Sequence, residues 1–154
     1  MQTTLLILKP DCVQRGLTGQ VIDRLERKGL RIVGMKMVMV RRDIAERHYA
    51  EHKGKPFYDG LLKFVTSSPV VVLAVRGIEA VVVCRNLIGA TNGRKAEAGT
   101  IRGDFGMSGG FNLIHGSDSP ESAVRELSLW FQPEELVEYA PGRETWVYDP
   151  ADLK

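Results

Sequence analysis

Two uninterrupted apolar runs constrain this chain most. They are Leu5-Leu6-Ile7-Leu8 and Val70-Val71-Val72-Leu73-Ala74-Val75. Successive side chains of a strand point to opposite faces, so a run without polar interruptions is a strand buried on both faces. Neither run can be a membrane span, which needs ~18 or more apolar residues. The longest charge-free stretch, Phe64 to Val75, is too short and contains Thr66-Ser67-Ser68-Pro69. The chain must therefore build a sheet and cover it.

The covering elements are legible between the strands. Thr18 is expected to cap a helix with Leu17, Val21, Ile22 and Leu25 on one face and Gly29 past its end. From Leu30 to Val40, Val33, Met35, Met37 and Met39 alternate with other residues, which is strand spacing. Asp43 with Glu46 fits a capping box for a helix reaching about Lys53, and a short helical pattern follows Asp59. The segment Ile78 to Ile88 reads as helix, because Ile78, Val81, Val82 and Ile88 share a helical face. A short strand is expected over Phe111 to His115. Ser119-Pro120-Glu121 then starts a helix whose buried stripe is Ala123, Val124, Leu127, Trp130 and Phe131. Pro133-Glu134-Glu135 starts one more short helix, and the tail Thr145-Trp146-Val147-Tyr148 is apolar enough to dock on its own subunit or a neighbour. Two βαβ-like halves of this kind make an α/β sandwich.

At 154 residues, one domain spanning 1–154 is expected. Lys and Arg total 21 against 19 Asp and Glu, so a net charge of +2 gives no argument for nucleic acid. Cys12 and Cys84 make no disulfide framework, and the N-terminus lacks the basic region of a signal peptide. A reducing, cytoplasmic setting is expected.

From Gly89 to Gly110 the periodicity disappears. These 22 residues hold seven glycines together with Arg94, Lys95, Arg102, Thr91 and Thr100. Glycines let backbone N–H groups approach an anion and guanidinium groups clamp phosphate oxygens; a mobile surface loop with solvated charges is the plainer alternative. Neither the Walker pattern nor the dinucleotide fingerprint is present.

His115 lies at the end of the last expected strand, just before a capped helix, where anions are favoured. A neutral imidazole is a nucleophile, and a carboxylate on its other nitrogen would fix its tautomer. Asp118 and Glu126 are the nearest candidates. Asn112 and His115 are three apart, so a regular strand would point them to opposite faces; for both to line one site the strand must end or bulge between them.

Asn112-Leu113-Ile114-His115-Gly116-Ser117-Asp118-Ser119 resembles the active-site signature of the nucleoside diphosphate kinase family. Leu8-Lys9-Pro10-Asp11, Arg47-His48-Tyr49, Lys55-Pro56-Phe57-Tyr58, Gly99 to Phe105 and Trp130 to Glu135 match further blocks in order. The resemblance implies a ferredoxin-like βαββαβ sandwich with a four-stranded antiparallel sheet. It implies transfer of a γ-phosphoryl group, mainly from ATP, to nucleoside diphosphates by a ping-pong route through a phosphohistidine at His115. Lys9, Arg85, Thr91 and Arg102 match phosphate contacts. Asn112 with Lys9 matches contacts near the ribose 3′-hydroxyl, and Phe57 matches the aromatic under the base. Tyr49 and Ser117 match supporting positions, and Glu126 matches the carboxylate that orients the histidine. Mg²⁺ would be held mainly by the nucleotide phosphates, with no protein metal site. The resemblance and the tail length imply a homohexamer over a tetramer; no membrane partner is expected, and a nucleic-acid partner is not implied.

Four positions depart from the family pattern. Gly109 stands where an apolar side chain usually faces the base. Gly93 and Ala98 stand where proline is common, which loosens the loop in principle. Arg76 replaces a frequent glutamate. Three rival patterns are also present in the sequence. His48-Tyr49-Ala50-Glu51-His52 fits the H-x-x-E-H zinc pattern literally, without a third ligand at sensible spacing. Arg102 to Gly106 faintly resembles the aromatic strand of an RNA-binding RRM. A phosphohistidine carrier would keep His115 without the kinase activity.

Overall fold

The computed structural model describes residues 1–153 of the chain. Four strands form one sheet: β1 (Gln2–Leu8), β2 (Arg31–Val38), β3 (Val70–Gly77) and β4 (Ile114–Gly116). Their order is β2-β3-β1-β4, and every pairing is antiparallel. The two continuous apolar runs are the two central strands, as their composition requires. The helices are α1 (Pro10–Gln14), α2 (Thr18–Arg27), α3 (Arg42–His48), α4 (Tyr58–Val65), α5 (Ala80–Ile88), α6 (Ile101–Phe105) and α7 (Pro120–Trp130). This is the ferredoxin-like sandwich, with α3 and α4 inserted between β2 and β3.

Each central strand feeds two cores. Leu6, Leu8, Val71, Leu73 and Val75 pack with Val21 and Leu25 of α2 and with Ala80, Cys84 and Ile88 of α5. Leu5, Ile7, Val70, Val72 and Ala74 pack against Ala45, Leu62, Val65, Trp130 and Phe131 on the opposite face. Burying a leucine-sized side chain contributes roughly 1.5–3 kcal/mol, so alternate residues of one strand anchor two helical layers.

Several local expectations are corrected. Leu17, not Thr18, occupies the cap position of α2, and no side chain caps it. No capping box forms at Asp43, which pairs with Arg41, while Glu46 pairs with Arg42. The helix there ends at His48, and a 3₁₀ turn covers Ala50–His52. Val124 is 67% exposed; the buried face of α7 is Ala123, Glu126 and Trp130, so a carboxylate occupies part of the expected apolar stripe. The last strand begins at Ile114 rather than Phe111. In the tail, the Tyr148 hydroxyl donates to the Gly29 carbonyl at 3.4 Å, while Trp146 stays exposed.

The glycine-rich segment is not structureless. It carries α6, whose cap Thr100 accepts the Gly103 N–H at 3.0 Å. Nor does Gly93 loosen it. Gly93 is buried against the Gly106 backbone, where a Cβ would collide with the Gly106 carbonyl. Close backbone approach, rather than flexibility, is what that glycine provides.

Candidate active site

The site lies beside the short strand β4. His115 pairs with Ile7 of β1, which places its ring at a fixed point of the sheet. Immediately before it the chain turns sharply. The Ile114 N–H bonds the Asn112 carbonyl at 2.8 Å around Leu113, whose φ is 71°. An i→i+2 bond around a positive-φ residue is a γ-turn of the strained kind. It answers the three-residue spacing problem: the strand starts after the turn, so Asn112 and His115 both line one cavity. Two bonds hold the turn. Leu113 N–H donates to the Asp11 carboxylate at 3.0 Å, and Lys9 N–H donates to the Leu113 carbonyl at 2.8 Å.

Glu126, projecting from α7, holds His115. Its Oε2 lies 2.9 Å from His115 Nε2 and accepts the Ser117 hydroxyl at 2.7 Å. Burial alone would raise the Glu126 carboxyl. The His115 hydrogen bond and charge, with the Ser117 hydroxyl, outweigh it and hold the group below its ordinary value. An ionised carboxylate only accepts, so Nε2 carries the proton and Nδ1 keeps the free lone pair. Asp118, the nearer acid in sequence, is instead held ionised chiefly by Ser122.

The cationic side is built on backbone and amide groups. Arg102 donates to the carbonyls of Asn112 (3.0 Å), Gly89 (3.3 Å) and Ile114 (2.6 Å), which fixes its guanidinium at the cavity. Lys9 Nζ donates to Asn112 Oδ1 at 2.8 Å, and Asn112 Nδ2 donates to the Thr91 carbonyl at 3.0 Å. Burial, then the neighbouring Arg102, brings Lys9 down to about 8, against the opposing charge of Asp11. Burial and Arg85 bring Arg102 down to about 10. Crowded, desolvated cations of this kind are poised for an anion.

These groups open on a cavity of about 820 Å³, which Phe57, Arg85, Thr91 and Tyr49 also line. Phe57 stands half-exposed at the start of α4, with the His52 ring edge-on at 5.4 Å and Lys55 at 5.8 Å. Phe64 and Phe111 stack with centroids 4.6 Å apart on the same cavity wall. The Tyr49 hydroxyl is buried without a partner, and burial, with the Glu126 charge, raises its pKa.

All ten residues singled out from the sequence thus meet at one cavity or, for Ser117, behind it. One neighbour was missed. His48 is buried and touches His115 edge-on, with centroids 4.6 Å apart. The signal lies in its own block, Arg47-His48-Tyr49, and in the zinc pattern that His48 opens. That pattern does not form a site: α3 ends at His48, whose Nδ1 lies 3.1 Å from Trp130 Nε1, and His52 stacks on Tyr49 at 6.2 Å instead. The RNA-binding reading also fails, because Arg102 to Phe105 are helical and supply no strand platform.

A carboxylate-held histidine opposite buried cations defines an anion-handling α/β sandwich, suited to phosphoryl groups more than to hydrolysis of peptides. Comparison with known proteins narrows that class. The family model described as nucleoside diphosphate kinase matches residues 2–136. A nucleoside diphosphate kinase of Carboxydothermus hydrogenoformans is 52% identical over 97% of this chain and 100% of its own length. One from Archaeoglobus fulgidus is 54% identical over 97% and 99% respectively. Among solved structures, a halophilic nucleoside diphosphate kinase from Halobacterium salinarum in complex with CDP superposes with a TM-score of 0.94. It is 46% identical and covers 96% of this chain and 99% of its own. The chain belongs to the nucleoside diphosphate kinase family and is a nucleotide-binding phosphotransferase.

Proposed function

We propose that this protein moves the γ-phosphoryl group of a nucleoside triphosphate, mainly ATP, to nucleoside diphosphates through phosphorylated His115. The observation that carries this reading is the Glu126 hydrogen bond to His115 Nε2, which leaves Nδ1 as the nitrogen with a free lone pair on a ring that lines the cavity. In the first half-reaction that lone pair forms the N–P bond. The bond from the γ-phosphorus to the bridging oxygen breaks, and its electron pair leaves with the diphosphate. In the second half a terminal oxygen of the acceptor diphosphate takes the phosphorus. The N–P electron pair then returns to His115, and Glu126 holds the Nε2 proton throughout.

Lys9, Arg85, Arg102 and Thr91 bind the phosphates, where positioned charge does most of the work of phosphoryl transfer. Asn112 and Lys9 reach the region of the ribose 3′-hydroxyl. Phe57 stacks the base, a contact that any base satisfies. The unpartnered Tyr49 hydroxyl is a donor waiting beside the reaction centre. Mg²⁺ held by the phosphates would supply shielding of their charge. The carboxylate that would fit it is Asp118, which lines the cavity and whose carboxyl the Ser122 hydrogen bond holds below its ordinary value.

The chain works as one domain over 1–154 and as a homo-oligomer, a hexamer in preference to a tetramer. Support for assembly is the edge strand β2, along which Met35 and Met37 are about 60% exposed. No described helix is long and apolar enough to cross a membrane, and a cytoplasmic setting suits the two free cysteines.

The test is intact mass after mixing the protein with MgATP alone, then adding GDP. One acid-labile phosphoryl adduct that appears, is discharged by GDP, and is missing in His115→Ala is expected. No adduct from a folded sample overturns the kinase reading and leaves a carrier phosphorylated by another protein.

A further inference from the structure

Glu126 and Trp130 stand four residues apart on α7 and so share one face of the helix. Each bonds a different histidine. Glu126 Oε2 accepts from His115 Nε2 at 2.9 Å, and Trp130 Nε1 donates to His48 Nδ1 at 3.1 Å. The two imidazoles then meet edge-to-face, with planes at 80° and centroids 4.6 Å apart. Four side chains close a ring whose spine is a single helix.

The ring fixes the His48 tautomer. An indole N–H can only donate, so His48 Nδ1 must be the acceptor. Burial, then the charge of His115, pushes the His48 pKa down to about 3, so the ring is neutral near pH 7. Its proton therefore sits on Nε2. That N–H is buried and has no hydrogen-bond partner among the described residues. A buried donor without an acceptor is destabilising and calls for a reason.

Metal binding is not the reason. Ligand atoms of His48, His115 and Glu126 do lie within 4.8 Å of one another. A metal needs an imidazole lone pair, and the one on His48 is already engaged by Trp130.

We propose that His48 is a positioning residue for His115. Trp130 fixes the His48 ring, which packs edge-to-face on the His115 imidazole. Glu126 holds the Nε2 edge of His115, and together they restrict it to the orientation that presents Nδ1 to the cavity. This inference rests on the reading that His115 carries the phosphoryl group.

The experiment is rapid-quench intact mass of single-turnover phosphorylation by MgATP, together with long-range ¹H–¹⁵N histidine spectra. Wild type, His48→Asn, Trp130→Phe and His115→Ala are compared. Asparagine keeps an acceptor near Trp130 but removes the ring edge. The rate of phosphorylation should fall about 100-fold in His48→Asn, as for a misplaced reacting group, while ATP affinity stays within about twofold. The wild-type spectra should show His48 protonated on Nε2 alone, and Trp130→Phe should lose that uniform tautomer and slow phosphorylation about tenfold. Wild-type rates in His48→Asn, or a His48 proton on Nδ1 in wild type, overturn the proposal. If His48→Asn does not fold, Trp130→Phe decides by the same two readouts. A wild-type adduct with no effect of His48→Asn removes this inference alone; no wild-type adduct removes it together with the functional reading.

Discussion

The Asp11 carboxylate accepts the backbone N–H of Leu113 at 3.0 Å, and Leu113 is a fully buried residue held at φ 71°. A non-glycine residue in that region costs about 1–3 kcal/mol and persists only where its surroundings enforce it. The benefit is geometric, because the turn aims Asn112 and His115 at one cavity. Asp11 also sits among the cations, and its charge opposes the lowering of both Lys9 and Arg102. Asp11→Ala should therefore cost about 1–3 kcal/mol in urea unfolding, the penalty for an unpaired buried N–H, and slow phosphorylation at least about tenfold. Asp11→Asn keeps an acceptor and should lose less stability. An Asp11→Ala protein as stable and as fast as wild type would show that the turn holds itself.

Lys9 gives the site an alkaline limit. Burial and Arg102 lower its pKa to about 8, so in the free protein it loses its charge as pH rises through that value. Nucleotide affinity should fall above pH 8, by about tenfold at pH 9, because binding there must also return a proton to Lys9. An arginine at position 9 starts from 12.5 rather than the 10.5 of lysine and so keeps its charge through pH 9. Lys9→Arg should thus flatten the profile whatever its absolute affinity. Calorimetric titration with ADP from pH 7 to 9.5 reads both proteins, and parallel profiles would remove Lys9 as the titrating group.

Some of this design was open to reading and some was not. The central strands were legible because a double-sided apolar run admits one placement. The convergence of Lys9, Asn112, His115 and Glu126 was legible through ordered motifs, since residues 9 and 112 are joined only in the fold. The γ-turn at Leu113 was visible only as a spacing conflict, because no local residue type announces positive φ there; glycine or asparagine would have. Helix α6 was hidden by its own glycine, Gly103, which breaks the periodicity although the Thr100 cap was available to see. Val124 was misplaced because an apolar residue at helical spacing looked like core, whereas the buried position belongs to Glu126. Burying a carboxylate is favourable there only because His115 and Ser117 pair with it, a tertiary fact.

Gly109 marks space rather than strain. A Cβ built there would meet only Asn92, at 3.7 Å, and the residue lines the cavity that Phe57 also lines. If the base lies on Phe57, the opposite face at Gly109 contributes no side chain. Gly109→Val should fit without distortion and should lower the KM for nucleoside diphosphates several-fold, with kcat little changed, since about 0.8 kcal/mol accompanies each buried methylene. Steady-state kinetics with GDP and CDP check this, and an unchanged or raised KM for both would place the base elsewhere.

The buried histidine and its neighbours also set the acid stability. His48 has a folded pKa of about 3 and an ordinary value of 6.5, so between these limits the unfolded chain binds a proton that the native state refuses. Stability must fall as pH drops from about 6.5 toward 3, with a slope approaching ~1.4 kcal/mol per pH unit from this one group. The groups facing it are His115, Glu126, Arg125 and Lys9, of which only the carboxylate favours charging His48. Glu126 acts in the same direction over a lower window. Its folded pKa is depressed below 4.5, so the stability it confers is present above that value and is lost as pH falls through the folded one. Urea unfolding at half-unit steps from pH 7 to 4 should show wild type losing stability more steeply than His48→Asn, by close to one proton between pH 6 and 4.5. Identical slopes would mean that His48 takes up its proton without unfolding, and would contradict the neutral ring on which the Trp130 contact depends.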